Sequence, residues 1–191
     1  MEKIGNIYDD GVVDEQGFKT VNDVLEHKSR ISKKLMRVSK DLEWRAQHHD
    51  ESKLKLPEVE MLIKMDKEPR HKYGSPEYFE KQKKFKEFFL HHYKMNSHHP
   101  EHFEYGIEGM DCVDLIEMCA DWTSYLEKMS VTEALKVLEA QKERYKIDDS
   151  LFEVIKNTVL NYFAWLGDYA PPEHPSNVNE DKDSQHFAKY S

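Results

Sequence analysis

Residues 21–47 read VNDVLEHKSRISKKLMRVSKDLEWRAQ, and within them Val24, Leu25, Ile31, Leu35, Val38, Leu42 and Ala46 recur every three or four positions. That is the period of an amphipathic helix. The spacing predicts one long helix, or two with a bend, over about residues 21–47, with Thr20 as its cap. His27 stands four residues before Ile31 and so beside the apolar stripe, which turns it toward an interior. A histidine so placed is either a satisfied core residue or a ligand.

The same period continues toward the C-terminus. Pro57 suits the first position of a short helix with Val59, Leu62 and Ile63 on its apolar side. Polar residues 67–75 form a loop that closes on Ser75 and Pro76 as cap and first helical position, and helix 76–94 puts Phe85, Phe89 and His92 on one face. A helix over 111–129 follows. Ser130 and Glu133 then form a capping box ahead of helix 131–145, and Asp149 caps helix 150–166. No segment alternates for long enough to found a sheet, so the expected fold is all-α, six or seven helices around one core. Residues 1–19 read as an N-terminal arm, 20–166 as a single helical domain, and 167–191, with Pro171, Pro172 and Pro175, as an extended tail.

Composition narrows the function classes. The chain has 191 residues, with 37 acidic against 28 basic side chains and a formal charge of -9. This balance argues against an electrostatic grip on a nucleic acid backbone or an anionic membrane. No run approaches 18 apolar residues and the first residues lack the apolar core of a signal peptide, so a cytoplasmic protein is expected. Cys112 and Cys119 lie seven apart on one expected helix, about 10 Å from each other, too far for a disulfide. They read as core thiols.

Eight of the eleven histidines fall between positions 48 and 102. His48-His49-Asp50-Glu51-Ser52-Lys53 opens this region and His91-His92 continues it. His98-His99-Pro100-Glu101-His102 then packs three histidines into five residues: a metal clip, a lid that contacts substrate, or a solvated turn. The lid is the preferred reading, because loops framed by helices carry groups that must reach a ligand. His91 and His92 diverge by about 100° on a helix and cannot both point inward. Asp114 and Asp121 are two turns apart on one face of the 111–129 helix with Glu117 between them. A row of carboxylates is usually solvated surface, but the apolar neighbours Ile116, Met118, Ala120 and Trp122 favour Asp121 as a ligand and Asp114 and Glu117 as groups that either support the ligands from behind or contact substrate.

His27, the His49-Asp50 doublet and the distant Asp121 together resemble the signature of the HD-domain superfamily, all-helical metal-dependent phosphohydrolases. The resemblance implies a central metal site in which His27, His49, Asp50 and Asp121 hold a divalent cation. His-Asp-Glu-Ser-Lys and the His91-His92 pair also resemble the phosphodiesterase branch of that superfamily, although its Gly-Tyr-Pro element is absent. This second likeness implies that His71 and His91 or His92 hold a second ion and that Lys53 balances phosphate charge. Residues 45–53, 91–102 and 114–122 resemble, in addition, a family of phage and bacterial proteins that supplies no activity. The implied function is a metal-dependent phosphohydrolase acting on a nucleotide or other small phosphate ester, with one or two ions among Mn, Fe, Co and Mg. Asp50 would bind or bridge metal, Glu51 would help orient the nucleophile, and Lys53, with Arg45 or Arg30 as secondary candidates, would neutralise phosphate, with His98, His99 and His102 reaching the substrate. Two alternatives share the scaffold: a diiron oxygenase of the same superfamily, and a non-catalytic, metal-stabilised protein that binds a host factor. The sequence leaves self-association into a homo-oligomer open.

Overall fold

Between Phe18 and His48 there is no glycine or proline to interrupt the helical period. The chain accordingly forms one continuous 34-residue helix, α1, over Glu15–His48. The computed structural model describes residues 15–72, 74–124 and 131–163. Within them α1 begins inside the stretch read as an arm, and Thr20 is not its cap. The Thr20 hydroxyl lies in the helix and donates to the Gln16 carbonyl at 3.0 Å. The helix stops where Asp50 takes a positive φ of 56°, the left-handed conformation that ends helices and that aspartate tolerates better than most residues.

Ser52 begins a second compact unit, the first ending at Glu51. This boundary falls inside the stretch expected as one domain, 20–166. The second unit contains α2 (Glu58–Asp66), α3 (Pro76–Lys84), α4 (Lys86–Met95), α5 (Cys112–Thr123), α6 (Val131–Tyr145) and α7 (Asp149–Tyr162). Short 3-10 turns occupy Glu51–Leu54, Pro100–His102 and Gly106–Gly109. The fold is all-α, with no strand among the described residues.

Two packed groups of helices make up the second unit. Met118, Cys119 and Trp122 of α5 meet Leu138 of α6 and Phe152, Ile155 and Val159 of α7, with Ile147 between the last two helices. Each large apolar side chain buried this way contributes about 1.5–3 kcal/mol, so this cluster dominates the unit's stability. The other group sets α2 and α3 against α4. Phe88 is buried there and stacks on His92 with ring centroids 5.8 Å apart.

Local chemistry explains most helix boundaries. Ser75 caps α3, its hydroxyl accepting the Tyr78 N–H at 3.2 Å, with Pro76 in the first position as the sequence suggests. The expected 76–94 helix is two helices, because Phe85 leaves helical geometry at φ -104°, ψ 26°. Asp148 rather than Asp149 caps α7, accepting the Ser150 and Leu151 N–H groups at 2.9 and 3.1 Å. Pro57 precedes α2 rather than opening it. The proposed Ser130 cap, most of the arm and the tail lie outside the described residues.

Candidate metal centre

Three histidines of the second unit converge. His92 lies on α4, and His98 and His99 lie on the segment between α4 and the Pro100–His102 turn. Each offers one nitrogen, and these atoms lie within 4.8 Å of one another, a group able to hold a metal ion. His92 and His98 are only 3% and 2% exposed. The Nε2 atoms of His92 and His99 are 2.9 Å apart. Two imidazole nitrogens bound about 2.1 Å from one cation at a right angle would be about 3.0 Å apart, so the spacing fits a shared ion.

Carboxylates orient the rings from behind. Glu58, at the start of α2, has no exposed surface. Its Oε1 lies 2.7 Å from His91 Nδ1, and its Oε2 lies 3.0 Å from His92 Nδ1 and 2.9 Å from the Ser52 hydroxyl. Burial alone would push the Glu58 carboxyl up, but the hydrogen bonds from His91, Ser52 and His92 outweigh it and hold the group below the usual range. An ionised carboxylate only accepts, so His92 donates from Nδ1 and its Nε2 is the atom that faces His99. His98 repeats the arrangement, with Nδ1 3.1 Å from Glu117 Oε1. A carboxylate behind the outer nitrogen is how metal-binding imidazoles are generally fixed in tautomer and orientation.

The backbone carrying His98 and His99 is tied down on both sides. The Asn96 amide donates to the His92 carbonyl at 2.8 Å and to the Ser52 hydroxyl at 2.9 Å. Ser97 donates to Asp114 Oδ1 at 2.7 Å. Glu101 accepts from Arg144 at 2.9 Å and from the Tyr145 hydroxyl at 3.0 Å, fastening the following turn to α6. Pro100 is buried. A segment held this way is a fixed clip, not the lid expected for His98 and His99. His102 is exposed, with Nδ1 3.0 Å from the Tyr93 carbonyl.

The remaining sequence candidates are placed as follows. His27 is exposed on α1 rather than facing an interior. It lies 21 residues before His48 in the same helix, about 31 Å along its axis. It therefore shares no ion with His49, because an unbroken helix separates them. His71 is exposed in the loop after α2, and His91 bonds Glu58. Among the described residues no convergent group of ligand atoms includes His27, His71 or His91. His49 Nε2 lies 3.5 Å from Asp50 Oδ2 at the end of the first unit. Arg45 pairs with Asp41 along α1 at 3.5 Å. Glu51 and Lys53 are half-buried in the 3-10 turn, and Asp121 is half-buried on α5. Asp114, expected to support a ligand or contact substrate, accepts from Ser97 beside His98 at 2.7 Å and also serves the backbone: its Oδ2 accepts the Asp111 N–H at 3.1 Å while Asp111 Oδ1 accepts the Asp114 N–H at 2.9 Å. Cys112 is exposed rather than a core thiol, and Cys119 is buried.

Glu58 had no sequence signature. An acid in the first turn of a helix is common on dipole grounds alone, and nothing local announces that it meets histidines 33 and 34 residues away.

Comparison with known proteins adds a family. A sequence model described as a family of unknown function (DUF5662) matches residues 16–161. No curated protein matches the chain. No solved structure matches it either.

Proposed function

This chain belongs to the DUF5662 family, and we propose that it is a metal-dependent phosphohydrolase acting on a nucleotide or other small phosphate ester. One observation carries the metal: His92, His98 and His99 bring nitrogens within 4.8 Å of one another, two of them with a carboxylate behind the ring. The reaction class rests on the resemblance of residues 48–53 and 91–92 to the HD-type phosphohydrolases. Neutral imidazoles suit iron, cobalt, zinc or manganese better than magnesium, which prefers oxygen ligands. When bound, the cation would supply Lewis acidity toward a phosphoryl oxygen and toward water.

The chain's own groups perform the rest. Glu58 and Glu117 keep the His92 and His98 protons on Nδ1 and the other nitrogens available as donors. Lys53, one residue beyond Ser52, balances phosphate charge in this reading. On the sequence resemblance alone, His49 and Asp50 are also proposed as ligands of a divalent cation.

The test is elemental analysis of purified protein followed by phosphate release from a nucleotide panel with added Mn²⁺, for wild type, His92→Ala and Asp50→Asn. Asparagine tolerates the left-handed backbone of position 50, so that variant should fold. Loss of bound metal and turnover together in His92→Ala supports the centre, and the same result in Asp50→Asn supports Asp50 as a ligand. Equal metal content in wild type and His92→Ala removes the centre. A metal-loaded protein that consumes oxygen, or that turns over no phosphate ester, overturns the hydrolase reading.

A further inference from the structure

Beside the histidine centre, α2, α3 and α4 and the loop after α2 border an open cavity of about 360 Å³, within the size range of small-molecule sites. Its apolar lining includes Leu62, Met65 and Phe89, and its polar lining includes Arg70, Lys81 and His71 beside one carboxylate, Asp66. The Arg70 side chain is 94% exposed, its nearest carboxylate, on Asp66, being 3.8 Å away. The Lys81 ammonium donates to the Glu68 and Pro69 carbonyls at 3.4 and 3.2 Å. Those bonds use two of its three protons and anchor the loop that carries Arg70 and His71. Tyr78 is fixed on the wall by a hydrogen bond from Gln82 at 2.6 Å.

The charge here departs from the rest of the chain. Residues 64–84 contain seven Lys or Arg against four Asp or Glu, in a protein of net charge -9. On the cavity wall Arg70 and Lys81 outnumber the single carboxylate of Asp66, which favours a ligand that is apolar at one end and anionic at the other. The aromatic ring of Phe89 and the thioether of Met65 favour a flat, aromatic body, since ring stacking and sulfur–aromatic contacts add to simple burial.

We propose that this cavity is a binding site for a small aromatic molecule bearing one anionic group, a phosphate ester or a carboxylate, held by Arg70 and Lys81 with its ring against Leu62, Met65 and Phe89. The site adjoins the histidine centre, since Leu62 lies four residues beyond Glu58 on α2 and Phe89 three before His92 on α4, about one helical turn along each, but its lining shares no residue with His92, His98, His99 or Glu58. It does not depend on that centre holding a metal.

The experiment is calorimetric titration of the full chain, treated with chelator, with phenyl phosphate, benzoate, inorganic phosphate and phenol. Phenyl phosphate or benzoate should bind one to one, at least tenfold more tightly than inorganic phosphate and phenol, and the tighter of the two names the anion. Arg70→Ala should weaken that binding at least fivefold, and Leu62→Trp, which fills the cavity, should abolish it. Aromatic anions that bind no better than phosphate or phenol, or binding unchanged in the variants, would overturn the proposal. If Leu62→Trp does not fold by circular dichroism, Arg70→Ala decides, because an exposed side chain can be removed without disturbing the fold. Since no metal is present, the result stands whatever the fate of the phosphohydrolase reading.

Discussion

A carboxylate with no exposed surface persists only if its oxygens meet donors, and Glu58 meets three: His91 Nδ1, His92 Nδ1 and the Ser52 hydroxyl. Glu58→Gln keeps the shape but presents an amide N–H₂ to one of these donors. The expected outcome is a 10- to 100-fold loss of cation affinity by calorimetric titration and a stability loss of about 1–3 kcal/mol by urea unfolding. The cysteines give a second prediction. Burial pushes the Cys119 thiol from its ordinary 9.0 up to about 12, while Cys112 is exposed. Native protein at pH 8 should therefore show one thiol to a disulfide reagent and two after denaturation. The folded state favours the neutral thiol, so this contribution to stability is complete below pH 9 and is lost as pH rises toward 12. Urea midpoints measured between pH 8 and pH 10.5 should fall for wild type and fall less for Cys119→Ala. At this scale the sequence showed which residue types mattered but not their partners. His92, His98 and His99 were visible as histidines, whereas Glu58 and the Ser97 contact to Asp114 exist only once distant segments meet.

The capping box at the start of α5 holds the helix that presents Glu117 to His98. Asp111 accepts the Val113 and Asp114 N–H groups at 2.8 and 2.9 Å. Asp111→Ala should cost about 1 kcal/mol of stability in thermal or urea unfolding, and a loss under about 0.3 kcal/mol would show the cap to be dispensable. Helices were the most legible elements, because an apolar stripe every three or four residues has few other meanings. Their interruptions were not. The period of Phe85, Phe88 and Phe89 runs across the break between α3 and α4 unchanged, since the break is a change in the Phe85 backbone angles and not in side-chain character. The role of Asp114 was ambiguous for a related reason: its place on the face shared with Asp121 is the same whether it serves a ligand, a neighbouring segment or the backbone of its own helix.

Over the whole molecule, the excess of acidic residues predicts no measurable binding of duplex DNA at 150 mM salt in a fluorescence polarisation titration; salt-sensitive binding would contradict this. The all-α class was readable from the absence of alternating segments and matches the structure. The boundary between Glu51 and Ser52 was not readable, because residues 48–56 contain no glycine or proline and the motif at 48–53 looks like one continuous unit. The expectation that His27 shares an ion with His49 did not hold, since one unbroken helix carries His27 about 31 Å from His48. The metal claim stands instead on the His92, His98 and His99 clip. Calorimetric titration of chelator-treated protein with Co²⁺, wild type against a His92→Ala/His98→Ala double variant, tests it most directly. The account predicts saturable binding in the wild type that weakens at least 100-fold in the variant. Equal affinity in the two proteins, with both folded by circular dichroism, would contradict it.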